Sequence, residues 1–455
     1  MPSESRYAAI SMRMVLNNNY LMPYFLPDVP FLGKPPLSFW ASAIFFKIFG
    51  FSEFAGRLPH FLALVALCYF MYFAIKKIYD EKTSAIAILI LISCALFYTL
   101  HTVMTESFLL LFMSMISLSF WLQLESKKSK NIYGYLFFIS CALAMLTKGP
   151  VAIIMPCLSI IIYLFLSKRW REIFNKFPII SGVIIFMIIA LPWFFLAEYY
   201  YPGFLHYFII GENWDRFAKP SWSGDQYGTA HQVYFGKIWY FFAIGALPIT
   251  IPLVFFFAKN PKYFFNDLII NCKKDQFFFF LCISFIAPLL ILSFMRNMIP
   301  TYSIYSIMAF AILAARIISL KNWWRFALFL GYFTIIIYLL IIIIFVSKPV
   351  YLMQKINYQS YLIKAIPAAY INDPNSKLYY INMRKKDFYG YWIFKDRVAD
   401  IDINDFVKIA KKNKSPIFII AGEGDYQYLL ESRKIKLQKV ICYDEKNICL
   451  YTTLA

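Results

Sequence analysis

The chain has 455 residues, of which 61% are hydrophobic, 20% aromatic and only 15% charged. Soluble domains contain about 45–50% apolar and about 25% charged residues, so this composition excludes a water-soluble globular protein. The net charge of +20 does not indicate a nucleic-acid partner. The lysines and arginines lie in short loops between long apolar runs, where they set membrane topology. The composition therefore predicts a polytopic helical membrane protein.

Ten apolar runs are long enough, with some tilt or extension into their flanks, to predict membrane spans. They lie at 60–75, 84–102, 107–124, 132–146, 150–166, 178–197, 237–258, 277–293, 301–317 and 326–346. Most lysines and arginines fall in alternate loops, and basic loops stay in the cytoplasm. This places residues 1–59, the loop 198–236 and the C-terminus outside. The predicted location is a bacterial inner membrane, with that side in the periplasm.

The two ends of the chain differ from the spans. Tyr7–Leu16 is a helical stretch, and Leu37–Phe54 is aromatic-rich but interrupted by polar residues, which is typical of an interfacial helix. A helical stretch near Asp405–Lys412 is surrounded by four short strand-like runs: Leu378–Ile381, Ile417–Ile420, Val440–Cys442 and Ile448–Tyr451. The chain is thus predicted to have three parts: a periplasmic segment with interfacial helices at 1–59, an all-α membrane domain at 60–347, and a soluble periplasmic α/β domain at 348–455.

Cysteine usage does not indicate a metal site, because the eight cysteines show no CxxC pair and no metal-type spacing. Cys442 and Cys449 frame a predicted hairpin turn in the C-terminal domain. An oxidising periplasm allows a disulfide there if the two side chains face each other. Two unpaired buried thiols are the equal alternative.

Four ionisable residues lie near the predicted outer membrane face. Glu106 begins a span, and it is either a functional carboxylate or an acid that favours the helix dipole, with Thr105 as the N-cap. Lys34 taken alone is typical of a lysine at the membrane interface. Arg57 and Lys148 lie on the predicted outer side, although basic residues are expected mainly on the cytoplasmic side. Two cations on this side indicate an anion to bind, most simply a phosphate.

The loop 198–236 is rich in Trp, Tyr, Gly and His, and it contains Trp222, Asp225 and His231. Aromatic residues alternating with polar ones suit stacking on sugar rings, and they equally suit an interfacial aromatic belt. His231 is a metal ligand, a general acid/base or a hydrogen-bonded loop residue, and a lone histidine favours the last of these. His60, His101 and His206 have no partner spacing and are read as structural.

Six motifs follow one another along the chain: Ser3–Ile10, Gly33–Trp40, Glu53–Pro59, Leu146–Val151, Trp222–Gly228 and Arg296–Tyr302. Taken in order, they resemble the polyprenyl-phosphate-sugar glycosyltransferases of the C-type membrane fold. This superfamily includes the aminoarabinose lipid A transferases and the protein O-mannosyltransferases. The resemblance covers nearly the whole chain, and the ordered set is more specific than any single motif.

The resemblance implies a periplasm-facing cavity, a sugar donor linked to undecaprenyl phosphate, and an inverting transfer. Lys34 matches the lysine that contacts the donor phosphate, Arg57 and Lys148 match basic positions near the cavity, and Glu106 matches a position usually occupied by Asp. Ser3 stands where the family usually has the Asp favoured as catalytic base. Gly33 replaces a carboxylate that is a metal-ligand candidate with a histidine such as His231. The resemblance therefore makes no cofactor certain, and the missing carboxylate weakens the expectation of a divalent metal.

The chemistry needs a base for the acceptor hydroxyl and cations for the departing phosphate. Glu4 is the first candidate for the catalytic base and Glu106 the second. The phosphate would be bound by Lys34, Arg57, Lys148 and Arg296, and the substrates by Arg6, Tyr7, Trp222, Asp225, His231 and Tyr302. The acceptor would be lipid A, a glycan or a protein.

The rival function is a transporter or flippase for a lipid-linked sugar, with the same cations on the same phosphate. Such transporters typically show paired half-repeats with broken helices near the midplane, and this sequence shows no such repeat. A membrane-anchored structural protein would leave Glu106 and the outer cations without a purpose. The sequence therefore favours an enzyme.

The position of Glu4 so close to Met1 leads to one further expectation. Members of the resembled family reach this motif through a preceding span, and no apolar segment stands before it here. A base on a frayed terminus would be poorly positioned. We therefore expect the full protein to carry one more N-terminal span with a basic cytoplasmic end.

Overall fold

The computed structural model describes residues 2–26, 29–127, 132–220, 222–224, 226–227, 231–347, 362–381, 389–394, 397–412, 417–431, 435, 437–443 and 448–453. The chain divides into two compact units. Residues 20–23 and 30–338 form one of them, called here the membrane unit. Residues 1–19, 24–29 and 339–455 form the other, called the sheet unit.

Helices dominate the described residues. They are α1 Pro2–Leu16, α2 Leu37–Phe49, α3 Glu53–Ile78, α4 Glu81–Ser93, α5 Ala95–Tyr98, α6 Glu106–Leu124, α7 Ile132–Lys148, α8 Val151–Leu166, α9 Glu172–Lys176, α10 Ile179–Tyr200, a π-helical segment His206–Asp215, α11 Arg216–Ala218, α12 Lys237–Gly245, α13 Thr250–Lys259, α14 Pro261–Lys274, α15 Gln276–Ser293, a 3₁₀ turn Pro300–Ser303, α16 Ile304–Leu320, α17 Trp324–Ser347, α18 Ala368–Asn372, α19 Tyr389–Phe394, α20 Ile403–Lys412 and α21 Glu423–Glu431.

Within the described ranges, four helices are long and apolar enough to cross a membrane: α3, α6, α10 and the continuous stretch Pro300–Leu320. Shorter apolar helices include α2, α7, α8 and α15. The prediction of a largely helical chain with apolar helices long enough to span a membrane is thus confirmed over these ranges. The number of spans and the direction in which they cross stay predictions.

Three predicted runs differ in detail from the helices observed. The run 84–102 is broken at Cys94, whose backbone is extended between α4 and α5. The run 237–258 is split, since α12 ends at Gly245 and α13 begins at Thr250. The run 60–75 belongs to a longer helix, because the Ser52 hydroxyl accepts the N–H of Ala55 at 3.1 Å and caps α3 seven residues earlier than predicted.

Helix α6 is the central element of the membrane unit, because almost all of its residues are buried. It packs against α3, α7, α8 and α16. His60 lies in the same core: its Nδ1 is 2.9 Å from the Ser107 hydroxyl on α6, and its Nε2 is 3.1 Å from the Ser42 hydroxyl on α2. His60 therefore links three helices, which is the structural role that the sequence indicated.

The strands among the described residues are β1 Tyr24–Leu26, β2 Val29–Pro30, β3 Lys377–Ile381, β4 Val398–Ile401, β5 Ile417–Gly422, β6 Gln438–Tyr443 and β7 Ile448–Thr452. The sheet unit contains a five-stranded mixed sheet in the order β4-β3-β5-β7-β6. Strand β3 is parallel to β4 and β5, and β7 is antiparallel to β5 and β6.

Side chains alternate across this sheet and form two separate cores. Phe418 and Ile420 of β5 belong to one core, and Ile417 and Ile419 belong to the other. Helix α1 contributes Ala9 to the first core, so the start of the chain folds with the C-terminal sheet. The sequence predicted α1 as a helix but gave no signal for this long-range association.

Four of the five strands in this sheet and α20 were predicted. Strand β4 was missed, because a four-residue run that includes Asp400 carries little apolar signal. The structure contains a disulfide between Cys442 and Cys449, which are partners in the register of β6 and β7. The disulfide alternative is therefore confirmed.

Candidate functional site

A small polar cavity lies at one end of the membrane unit. It encloses about 60 Å³ and has room for about two water molecules at liquid density. Its wall includes the predicted residues Lys34, Lys148 and Tyr302, together with Glu212 and Arg216 from the loop after α10. A group of phosphate size, rather than a whole lipid-linked sugar, matches this space.

Glu212 joins two cations on one side of the cavity. Its Oε2 accepts from Lys34 Nζ at 3.0 Å and from Arg216 Nη1 at 3.0 Å. Its Oε1 accepts from the Tyr207 hydroxyl at 3.1 Å. The Glu212 side chain is only 3% exposed, and the two cations are about one-fifth exposed. The carboxylate therefore holds both cations at the cavity edge.

The protonation state of Glu212 follows from opposing effects. Burial alone raises the pKa of this carboxyl, but the charges of Lys34 and Arg216 and their hydrogen bonds more than offset burial. The pKa of Glu212 therefore lies below its ordinary value. Glu212 is anionic at neutral pH, and it acts as a counter-ion and not as a proton donor.

Tyr227 fixes the chain segment that leads to Lys34. Its hydroxyl accepts the N–H of Leu32 at 2.9 Å and donates to the carbonyl of Pro30 at 2.9 Å. Its ring also packs on Phe31, with centroids 4.6 Å apart. A Cβ added at Gly33 would lie 3.2 Å from the Tyr227 ring, so this close packing favours glycine directly before the lysine.

Asn297 fixes the segment that carries Arg216. Its side-chain amide donates to the carbonyl of Arg216 at 2.9 Å and to the carbonyl of Lys219 at 2.6 Å. Asn297 is 1% exposed, so its side-chain amide is shielded from water. The motif Arg296–Tyr302 thus contributes a positioning residue next to the predicted arginine.

Lys148 approaches the cavity from α7 and forms a buried ion pair with Glu106 at 3.0 Å. The Lys148 ammonium also lies 5.2 Å from the centre of the Tyr302 ring, within cation–π range. Thr105 does not cap α6, contrary to the alternative considered from the sequence. Its hydroxyl instead donates to Glu106 Oε2 at 3.3 Å.

Two predicted phosphate ligands do not line this cavity. Arg57 forms an exposed ion pair with Glu53 at 3.4 Å, one turn earlier on α3. The Arg296 guanidinium lies over the ring of Phe235 at 3.7 Å. The structure therefore brings together Lys34 and Lys148 of the predicted set and adds Arg216.

The predicted sugar contacts in the loop 198–236 are only partly described. Trp222 packs on Tyr207, with ring centroids 6.3 Å apart, and therefore stands near the Glu212 cluster. His231 is exposed, and its carbonyl accepts the N–H of Met298 at 3.1 Å. Asp225 lies outside the described residues.

A metal centre does not fit the residues seen here. The one grouping of three metal-type ligands in the described part of the chain is Glu423, Cys442 and Cys449. Its two cysteines are bonded to each other and cannot act as thiolate ligands. Gly33 supplies no side-chain ligand atom beside the cavity, and its carbonyl accepts from Lys34 Nζ at 2.6 Å. We therefore derive no catalytic step through a metal.

Three predicted residues belong to α1 in the sheet unit. Glu4 lies in the first turn of the helix and is 9% exposed. Arg6 lies 5.6 Å from the ring of Tyr7, which is itself buried. Because Glu4 and Tyr7 are buried, α1 is packed within the sheet unit, and its first turn is not frayed.

Sequence reasoning missed Glu212 and Arg216, although both stand in a loop segment that it examined. The two residues are four apart, a spacing that is common for exposed pairs on helices. Asp215 and Lys219 overlap them with the same spacing, and that pair is exposed at Lys219, which is 62% accessible. Burial alone distinguishes the two pairs, and it becomes visible only in the fold.

The described residues thus comprise a helical membrane unit, in which Lys34, Lys148 and Arg216 line one polar cavity, and a mixed sheet unit. Residues 33–195 match the family described as dolichyl-phosphate-mannose-protein mannosyltransferase. The chain is 27% identical over 321 residues to the undecaprenyl phosphate-alpha-4-amino-4-deoxy-L-arabinose arabinosyl transferase of Enterobacter sp. (strain 638), covering 69% of this chain and 54% of the relative. The corresponding protein of Yersinia pestis (strain Pestoides F) is 27% identical over 308 residues, covering 66% and 52%.

The fold is similar to that of ArnT from Cupriavidus metallidurans. The crystal structure with bound undecaprenyl phosphate gives a TM-score of 0.74 at 17% identity, covering 99% of this chain and 93% of that one. The apo structure gives a TM-score of 0.72. The resemblance that the ordered motifs indicated is thereby confirmed. The chain spans about half the length of the curated relatives it matches.

Proposed function

We propose that this protein is a glycosyltransferase that moves a sugar from a polyprenyl phosphate donor, such as undecaprenyl phosphate, to a lipid A, glycan or protein acceptor. The reaction inverts the anomeric centre and takes place at the outer face of a bacterial inner membrane. The observation that carries the proposal is the cavity where Lys34, Lys148 and Arg216 meet two carboxylates. Three cations against Glu212 and Glu106 leave one positive charge, which suits an incoming phosphate.

In the proposed reaction, the acceptor hydroxyl oxygen bonds to the anomeric carbon of the donor. The bond from that carbon to the phosphate oxygen breaks, and the electron pair stays with the polyprenyl phosphate. The leaving phosphate therefore gains negative charge, which Lys34, Arg216 and Lys148 neutralise. The acceptor proton passes to a carboxylate. In-line attack opposite the leaving group inverts the configuration.

The residue roles extend the predictions from the sequence. Glu4 stays the first candidate for the base and Glu106 the second. The contact of Glu106 with Lys148 supports a positioning role for this carboxylate as well. Arg57 and Arg296 are proposed as more distant basic groups, and Tyr302 as a substrate contact beside Lys148. Arg6, Tyr7, Trp222, Asp225 and His231 remain proposed substrate contacts.

The Cys442–Cys449 disulfide supports the proposed orientation. Disulfides persist in oxidising compartments such as the periplasm and are rare in the cytosol. The curated relatives are named for an aminoarabinose derivative, so donors carrying this sugar are the first to test. Gly33 removes the carboxylate that the aminoarabinose transferases usually carry there, so a hexose donor should be tested in parallel.

The proposal is tested with the full chain in lipid nanodiscs and a radiolabelled polyprenyl-phosphate sugar. Addition of lipid A is expected to consume the donor, release polyprenyl phosphate and label the acceptor. Lys34→Ala and Arg216→Ala should abolish transfer. Lys219→Ala, which removes an exposed cation from the same loop, is the matched control and should retain it.

Two results would count against the proposal. Donor that crosses the membrane intact in vesicles, with no labelled acceptor for any of the three acceptor classes, would support the flippase alternative. An equal loss of activity in Lys219→Ala and Lys34→Ala would show that the cavity cations have no special role.

A further inference from the structure

A second and larger cavity lies at the opposite end of the membrane unit. It is an open cavity of about 730 Å³, within the size range of ligand-binding sites. Its wall includes the C-terminal ends of α3 and α6 and the N-terminal end of α15. Glu106 stands at the other end of α6, about 27 Å away at 1.5 Å per residue. This cavity is therefore separate from the proposed catalytic site.

The cavity wall is strongly basic. Five cationic side chains line it against two acidic ones, Glu125 and Asp275. The cations are Lys77, Lys127, Arg169, Lys274 and Arg316. The excess of positive charge indicates an anionic ligand.

The two acids are already engaged by the arginines. Arg169 contacts Glu125 at 2.7 Å, and it also contacts Glu172 just outside the cavity at 2.6 Å. Arg316 contacts Asp275 at 3.3 Å. These pairs shape the wall but supply little free charge.

The three lysines of the wall differ from the two arginines in their contacts. Lys77 donates to the neutral hydroxyl of Tyr133 at 2.9 Å. Over the residues that the structure describes, Lys77, Lys127 and Lys274 form no ion pair. By contrast, Lys76 stands next to Lys77 in the chain but pairs with Glu81 at 2.9 Å and lies outside the cavity.

Basic residues at this end of the helices also serve membrane topology and offset helix dipoles. Both effects act on charge near the helix ends and do not require lysines to surround one cavity. Topology alone would be satisfied equally by Lys168, Lys262 and Lys273, which are exposed at the same end, as the three cavity lysines are, but do not line the cavity. The arrangement of Lys77, Lys127 and Lys274 around one space is what topology leaves unexplained.

We propose that this cavity binds the phosphate of an anionic phospholipid headgroup, held by Lys77, Lys127 and Lys274. Basic pockets between membrane helices on the cytoplasmic side are suited to such headgroups. The cavity lies at the end that the charge pattern predicts to be cytoplasmic, level with the helix ends. The proposal does not depend on the sugar transfer proposed above, because it concerns the other end of the membrane unit.

The test uses the full chain in detergent and dioctanoyl phosphatidylglycerol as the probe, with binding followed by native mass spectrometry. Dioctanoyl phosphatidylcholine and inorganic phosphate are measured alongside. The triple variant Lys77→Gln/Lys127→Gln/Lys274→Gln should weaken phosphatidylglycerol binding by about fivefold per lysine, on the order of 100-fold in total at low salt. The triple variant Lys168→Gln/Lys262→Gln/Lys273→Gln removes the same charge outside the cavity and should bind like the unmodified protein.

The expected result is preferential binding of phosphatidylglycerol that only the cavity variant loses. An equal loss in both triple variants would overturn the proposal, because it would show a diffuse effect of surface charge. Equal binding of phosphatidylcholine would also overturn it. Binding of inorganic phosphate without phosphatidylglycerol would overturn the assignment to a lipid headgroup.

Discussion

Replacing Glu212 by Gln tests whether this carboxylate competes with the donor phosphate for Lys34 and Arg216. A phosphate oxygen bound to the Lys34 ammonium would lie about 6 Å from the Glu212 carboxylate, since each contact spans about 3.0 Å. At an effective dielectric constant of about 20, two such charges repel by about 3 kcal/mol, on the order of 100-fold in affinity. Lys34 is about one-fifth exposed, which reduces this repulsion by solvent screening. We therefore expect Glu212→Gln to bind polyprenyl phosphate at least tenfold more tightly.

The same substitution should slow turnover, because tighter binding of the leaving phosphate delays its release. Affinity is measured by the increase in melting temperature at several polyprenyl phosphate concentrations, and turnover with radiolabelled donor. Glu53→Gln is the matched control, since Glu53 pairs with Arg57 on an exposed part of α3. Unchanged or weaker binding of polyprenyl phosphate by Glu212→Gln would refute the competition argument.

Four further outcomes are expected. Lys34→Ala should abolish transfer in a protein that still folds in membranes. Lys34→Arg should restore little transfer, because a planar guanidinium does not replace a compact ammonium. Transfer from radiolabelled donor measures both. Tyr227→Phe removes one hydroxyl from two backbone contacts, which should cost about 1–3 kcal/mol in a melt and lower turnover through Lys34. Opening the short Cys442–Cys449 loop by Cys442→Ser should destabilise the protein by about 2.5 kcal/mol in a denaturant titration; two alkylated thiols in the native, oxidised protein would contradict the bond. Because the pKa of Glu212 is lowered, its ion pairs stabilise the fold fully above the ordinary Glu pKa. This stabilisation is lost as pH falls from the ordinary pKa through the lowered one. The difference in unfolding free energy between the unmodified protein and Glu212→Gln should therefore shrink only in that acidic range.

The sequence predicted helices and strands wherever one residue pattern dominates locally. Apolar runs became helices because a chain in a membrane must satisfy its backbone hydrogen bonds within each segment. The breaks in two runs depend on local backbone geometry at Cys94 and between Gly245 and Thr250, and hydropathy does not record that geometry. The packing of Ala9 on a sheet more than 350 residues later along the chain is a long-range contact with no local signal.

The candidate site divides in the same way. Lys34, Lys148 and Tyr302 were accessible from the sequence, because two of them are cations on the predicted outer side and all three belong to ordered motifs. Glu212 and Arg216 could not be predicted, since their four-residue spacing is that of an ordinary exposed pair. Arg57 shows the converse case, since this cation at the predicted outer face pairs with Glu53 one turn away and does not line the cavity.

The ion pair of Lys148 and Glu106 explains how a charged group can be held at the edge of the membrane unit. Both side chains are at most 7% exposed, and an isolated charge there would be strongly disfavoured. Each charge also stands at the helix end that favours it, since Glu106 begins α6 and Lys148 ends α7. The carboxylate and the two dipoles can therefore keep the lysine charged while its ammonium faces Tyr302 and the cavity. The dipole effect, first considered as an alternative to function, is on this argument the reason that a functional cation can be stable at this position.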